Sequence, residues 1–292
     1  MKIKIAGPLI MPILIAGILF VYEDSAAQRI SWTGNLQYAT GSYIFEDATN
    51  TFYFVNGLSV SHGRFSGNIS IPYIIQDSPW ISYSGTSGMI PTGGPQSGSV
   101  REGKKGNGMG DNSGRGVADR RRISLPDTSS YTQTGFGDPW VSLSFNVLSP
   151  WSITSMRIHT GLKLSVADPV NGFGTGATDA SLGASVSQRL HKTFLFGEIH
   201  YWWIGDMEDL ELNNSLSYGI GIGQSFTPGK WLLTGSVQGS TPIIDDFDPP
   251  MYLNLGAGYL YSGNMTFNGL ITFGLSESSS DFSIGIGWDI KL

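Results

Sequence analysis

The chain of 292 residues has no cysteine and little charge, with only 14% of its residues Asp, Glu, Lys or Arg, against roughly 25% in ordinary soluble domains. The missing cysteine excludes disulfides, thiolate metal sites, a cysteine nucleophile and a lipid-modified N-terminal cysteine. The scarce charge leaves little to solvate a water-facing surface, and a net charge of −6 argues against a general nucleic-acid binder. After the first segment, no apolar run reaches the roughly 20 residues of a helical membrane span. What is abundant is glycine, 40 residues, together with 8 Trp, 12 Tyr and 15 Phe. The glycines follow no G-X-Y period and the aromatics are too many for a disordered chain, so collagen-like and unfolded states are excluded. Gly, Ser, Thr and β-branched residues dominate, and each disfavours long helices.

The first segment reads as an address. Lys2 and Lys4 precede an apolar run from Ile5 to Val21, and Ser25-Ala26-Ala27 supplies small residues before Gln28. These are the three parts of a secretory signal peptide, with cleavage expected after Ala27. Gly7, Pro8, Pro12 and Gly17 interrupt the run, which makes an uncleaved anchor the poorer reading. The expected organisation is a signal peptide at 1–27 and a single domain at 28–292. A membrane location for that domain requires strands.

From Arg29 onward the recurring signal has period two, the alternation of side chains across a strand. Phe65, Gly67, Ile69, Ile71, Tyr73 and Ile75 alternate with Arg64, Ser66, Asn68, Ser70 and Gln76. The last segment sets Phe282, Ile284, Ile286, Trp288, Ile290 and Leu292 against Asp281, Ser283, Gly285, Gly287, Asp289 and Lys291. Twelve such segments are expected at about 29–42, 51–61, 64–76, 136–148, 152–167, 178–190, 193–205, 215–227, 231–241, 250–261, 264–275 and 281–292. Tight turns such as His62-Gly63, His191-Lys192 and Ser262-Gly263 alternate with longer connections at 43–50, 77–135, 168–177, 206–214, 242–249 and 276–280.

That alternation is how an up-and-down outer-membrane barrel is connected, with tight periplasmic turns and long extracellular loops. A soluble β-sandwich shows the same period. The signal segment, the low charge and the aromatics on the apolar faces (Trp32, Phe52, Tyr73, Tyr201, Trp203, Trp231, Tyr259, Tyr261, Trp288) favour the barrel, since Trp and Tyr collect at membrane interfaces. The expected fold is therefore all-β, a transmembrane antiparallel up-and-down β-barrel of about 12 strands of outer-membrane type. It would sit in the outer membrane of a Gram-negative cell with both termini periplasmic.

Several segments resemble a known family. Gly135-Phe136-Gly137-Asp138 opens a strand, and Gly161-Leu162-Lys163-Leu164 runs into the loop Asp168-Pro169-Val170-Asn171-Gly172-Phe173-Gly174-Thr175-Gly176. Asp179-Ala180-Ser181-Leu182-Gly183 and the ending Ile284-Gly285-Ile286-Gly287-Trp288 follow. Together these resemble the outer-membrane family named for the meta-pathway of phenol degradation, whose members are labelled transporters. The resemblance implies a barrel for passive uptake of small, aromatic or apolar molecules, acting as a channel rather than an enzyme. Two departures from the family pattern are Pro139 after the Gly-Asp pair and the length of the 77–135 loop. A phospholipase- or protease-like barrel enzyme and an adhesion or envelope-structure barrel remain as alternatives.

If the apolar faces meet lipid, the alternate faces line a lumen. That parity turns Arg64, Asp138, Trp140, Arg157, His159, Lys163, Glu198, His200 and Trp202 inward as candidates for the substrate path, with Arg189, Asp281 and Asp289 on the same side. One register places Asp138 opposite Lys163 near the extracellular end, as a structural ion pair or a source of field across the lumen. Glu198, His200 and Trp202 climb one strand face and would form a polar-aromatic ledge. Many glycines, among them Gly219, Gly221, Gly223, Gly285 and Gly287, fall on lumen faces and suggest open interior space.

The 77–135 loop carries seven basic and five acidic residues. Its composition reads as a disordered surface loop. The alternative is a plug, or a strip binding lipopolysaccharide phosphates through Arg120-Arg121-Arg122. The clusters Asp206/Glu208/Asp209/Glu211 and Asp245/Asp246/Asp248 follow no EF-hand pattern and read as solvated loop charge. No cofactor, metal or catalytic residue is expected: the four His form no H-x-x-x-H motif, and the Gly-rich strings at 172–176 and 219–223 precede no helix. The expected partners are outer-membrane lipids, lipopolysaccharide and a small-molecule substrate, with no nucleic acid.

Overall fold

The computed structural model describes residues 28–43, 48–77, 81–84, 88–91, 132–148, 152–167, 169, 172–206, 212–227, 229–245 and 247–292. The expected signal peptide and most of the 77–135 loop, including Arg120-Arg121-Arg122, lie outside the described residues. The strands are β1 (Arg29–Gly41), β2 (Thr49–His62), β3 (Phe65–Gln76), β4 (Ile81–Ser84), β5 (Gly88–Pro91), β6 (Gln133–Phe136), β7 (Trp140–Asn146) and β8 (Thr154–Lys163). They continue with β9 (Asp179–Leu190), β10 (Thr193–Trp203), β11 (Ser215–Phe226), β12 (Trp231–Ser240), β13 (Met251–Ser262), β14 (Met265–Gly274) and β15 (Phe282–Lys291).

All pairings in the main sheet are antiparallel and join strands consecutive in the chain, except where β3 meets β6 and β7 and where β15 pairs with β1 from Ser31↔Lys291 to Thr40↔Phe282, which closes the sheet on itself. β6 and β7 both pair with β3 and form one interrupted stave, so the barrel has twelve staves. The interruption is Gly137-Asp138-Pro139. Proline has no N–H to donate to a ladder, while Gly137 still donates to the Pro72 carbonyl at 2.8 Å. The stave expected at 136–148 therefore begins at Gln133 and is broken. The one expected at 152–167 stops at Lys163, and its remaining residues turn into the following connection. A separate hairpin, β4 with β5, lies within the long loop.

The alternation resolves into two faces. Leu36, Leu58, Ile69, Leu182, Val186, Ile220 and Ile286 are outward and exposed, Ile220 to 71%. Their strand neighbours point inward and are mostly Ser, Thr, Asn, Gln and Gly. These bond across strands, as in Ser66–Ser144 at 2.8 Å, Ser155–Ser187 at 2.7 Å and Gln37–Ser283 at 3.2 Å. An outer surface that is apolar without a covering protein layer is the reverse of a soluble barrel and fits a hydrocarbon surround. The outer aromatics make edge contacts along the wall, Trp32 with Trp288 at 5.5 Å and Tyr201 with Trp203 at 5.0 Å.

The staves are joined by tight turns at the end where β1 begins and β15 finishes, and by long connections at the other. Gly63 takes φ +57°, and a Cβ there would meet nothing within 4 Å, so its glycine serves conformation rather than packing.

Orientation of the apolar face gives a direct test. Ile220→Arg, on the outer face in mid-strand, is expected to cost about 2–4 kcal/mol of unfolding free energy in lipid, measured by denaturant titration in vesicles. Gln238→Lys, on the inner face, is expected to cost much less.

Candidate functional site: the inner wall and the mouth

The inner face of β10 carries Phe194, Phe196, Glu198, His200 and Trp202 in succession, the parity opposite to the exposed Leu195, Ile199, Tyr201 and Trp203. Phe194 and Phe196 lie 6.0 Å apart between centroids, and His200 stacks on Trp202 at 6.2 Å. Trp202 meets Trp140 edge-on at 5.6 Å and donates its indole N–H to Ser217 Oγ at 3.0 Å. A row of rings therefore runs from the short-turn end to the long-loop end. Its two lower rings are absent from the ledge expected at Glu198, His200 and Trp202, although the same alternation on β10 turns them inward.

The glycines explain how the rings lie. Across from β10, Gly221 and Gly223 on β11 face Phe196 and Phe194, and Gly183 on β9 faces His200. A Cβ at any of these three would run into the ring opposite, and one at Gly219 would come 3.3 Å from Glu198 Cγ. The expectation of open space is corrected here for Gly221 and Gly223: neighbouring rings lie in the room they leave, as His200 does at Gly183. Gly285 meets Asn35 and Gln37, and Gly287 meets Asn268.

Interior water access survives at mid-height. Glu198 points inward, yet its side chain is 40% exposed, with Oε2 at 3.8 Å from His200 Nε2. His159, on β8, lies 5.5 Å from the His200 ring, and its Nε2 pairs with Ser185 Oγ at 2.8 Å. Arg157 stands one row toward the short turns, exposed, with Nε donating to Asn146 Oδ1 at 2.7 Å. Arg64 sits on the rim at the β2–β3 turn, its guanidinium donating to the Val147 carbonyl of the neighbouring turn at 3.3 Å. Arg189 and Asp289 face inward near the short-turn end, and Asp281 precedes β15 at the opposite end.

At the long-loop end a charged cluster is buried in the wall. Lys163 Nζ lies 2.8 Å from Asp179 and 3.7 Å from Asp138, all three side chains at most 1% exposed. In the ladder Lys163 faces Trp140 and Asp179. Asp138 is not directly opposite, as the expected register had it, but two residues on, at the break in the stave. Lys163 also donates to Thr175 Oγ1, and Asp138 Oδ1 accepts the N–H groups of Val166 and Ala167 at 3.0 and 2.9 Å. Asp179 Oδ1 accepts Gly205 N–H at 3.0 Å. One cluster thus ties two connections to the barrel.

Those connections fold over the mouth. Phe173 packs with Tyr43 and with the inward-facing Tyr53 and Ile74, and Ile244 and Phe247 lie against the same group. Ile204, Leu212 and Ile243 pack on Trp202, with Trp140 and Ile244 alongside. Burial pushes the Tyr43 phenol well above its ordinary pKa, so this packing adds no charge. The acidic loop clusters are partly engaged: Asp206 accepts Leu212 N–H at 3.2 Å and Asp245 accepts Asn213 Nδ2 at 2.7 Å. Among the described residues no group of three or more His, Cys, Asp or Glu could hold a metal ion.

Lys163→Met is expected to destabilise the fold by about 3–5 kcal/mol, the usual cost of leaving buried carboxylates uncompensated. Adding Asp179→Asn is expected to recover part of that loss in the same denaturant titration.

No protein-family model matches the chain, and no curated protein does. Solved structures do. The COG4313 outer membrane channel from Pseudomonas putida F1 superposes with a TM-score of 0.61 at 12% identity, over 93% of this chain and 98% of that one. The translocator domain of the autotransporter NalP from Neisseria meningitidis gives 0.45 at 10% identity, over 98% and 95%. A deletion mutant of the TodX monoaromatic hydrocarbon channel gives 0.41 at 8% identity, over 93% and 91%. The first of these shows that the chain shares the fold of an outer-membrane channel. The resemblance to the phenol meta-pathway family rests on its short motifs alone.

Proposed function

We propose that the protein is an outer-membrane channel for passive uptake of small molecules, aromatic and apolar ones among them, with the short-turn end and both termini toward the periplasm. The observation that carries this reading is Glu198, which faces inward and is still 40% exposed in side chain, beside rings that line the same face. A packed interior would bury it, as Asp138 and Asp179 are buried. Aromatic faces along a bore suit a planar solute, since each ring pair contributes about 0.5–1.5 kcal/mol. Lipopolysaccharide around the rim is the natural lipid partner.

A hydrolase reading draws on one specific observation, the hydrogen bond of 2.8 Å between His159 Nε2 and Ser185 Oγ. A serine nucleophile also needs its histidine oriented by a third group. Glu198, the acid across the ladder from Ser185, is turned toward His200 instead. The same inner wall holds other cross-strand hydroxyl pairs, and the channel reading is preferred.

Reconstituted vesicles test the preferred reading through entry of apolar aromatics, short sugars and ions. Entry of at least one class above protein-free vesicles is expected, and exclusion of all three would remove the channel. Phe196→Ala is expected to slow aromatic solutes about two- to tenfold with sugars unaffected. For the hydrolase, a serine-directed fluorophosphonate probe is expected to leave Ser185 unlabelled by mass spectrometry; labelling that Ser185→Ala abolishes would revive it.

A further inference from the structure

The ionisable residues are sorted along the barrel axis. Among the described residues, seven of the eight Lys and Arg lie in the short-turn half. Arg29, Arg157, Arg189 and Lys291 are on inward positions of their strands, and Arg64, Lys192 and Lys230 are on the turns. The eighth is Lys163, buried between two aspartates. Eight of the ten Asp and Glu, from Asp77 to Asp281 in the chain, lie at the long-loop end; Glu198 stands midway, and Asp289 alone is in the short-turn half. The separation is not a consequence of the fold, because either sign would satisfy an inner wall.

We propose that the bore is polarised along its axis and therefore conducts asymmetrically, drawing cations in at the long-loop mouth and anions in at the short-turn mouth. This rests on the channel reading above. Low-dielectric walls focus the field of fixed charges into the water they enclose. Current carried from the acidic end by cations and from the basic end by anions fills the bore with both carriers when the long-loop side is positive. The opposite polarity empties it. A solute with an ammonium at one end and a carboxylate at the other is oriented by the same field, its ammonium toward the long loops.

The test is the current–voltage curve of single channels in a planar bilayer. Since the chain lacks cysteine, one cysteine introduced as Glu277→Cys, biotinylated and probed with streptavidin from one compartment, identifies the long-loop side. In 0.1 M KCl, where the screening length is about 10 Å, current is expected to be at least about 1.5-fold larger with the long-loop side positive; in 1 M KCl, at about 3 Å, the ratio falls toward one. Arg157→Gln with Arg189→Gln, checked for heat-modifiable gel mobility, is expected to lower the ratio at 0.1 M. A symmetric curve at 0.1 M, rectification of the opposite sign, or rectification undiminished at 1 M would overturn the polarised bore while leaving the channel standing. Absence of current at either polarity would overturn both.

Discussion

Closure of the backbone ladder is the constraint on which the rest depends. In hydrocarbon, an N–H or C=O without a partner costs several kcal/mol and water cannot supply one. The β1–β15 pairing removes the last free edge, and with the edge gone, parity on every stave is set. Outward positions must be apolar and inward positions must not collide. Low charge and high glycine follow from these two requirements, the first on the lipid face and the second largely within the bore.

The second requirement gives the inner wall its texture. Rings on one strand need missing side chains on the next, because facing residues on adjacent strands are only about 5 Å apart. Phe194, Phe196 and His200 lie over Gly223, Gly221 and Gly183 for that reason. The glycines decide where the rings lie, and the rings decide which surface the inner wall presents.

The same logic joins two of the motifs on which the family resemblance was built. Gly135 leaves room for the Phe173 ring, Gly137 for the Ile74 and Pro72 side chains and the Phe173 carbonyl, and Gly174 comes against the Asp138 carboxylate. The carboxylate in turn holds the backbone of Val166 and Ala167. The Gly-Phe-Gly-Asp stretch and the Gly-Phe-Gly-Thr stretch are thus two halves of one contact that folds a connection over the mouth. Lys163, between Asp138 and Asp179, makes that contact costly to break, because an unpaired buried carboxylate is far less favourable than a paired one. The side chains packed over the mouth are Phe173, Ile204, Leu212, Ile243, Ile244 and Phe247, whereas the 77–135 loop, singled out for its length, lies mostly outside the described residues.

The barrel was legible in the sequence because its signals are local: period two in each strand, and short turns alternating with long connections. Parity from the same pattern turned Glu198, His200, Trp202 and Lys163 inward, and the sorting of charge can be traced once strand directions are assigned. What the sequence could not supply was proximity between strands. Asp179 reaches Lys163, Phe173 reaches Gly135, and glycines that read as vacancies are occupied, all through residues distant in the chain. Periodicity determines the direction of a side chain; which neighbour it meets depends on register, closure and the return of loops into the mouth, and those exist only in the assembled barrel.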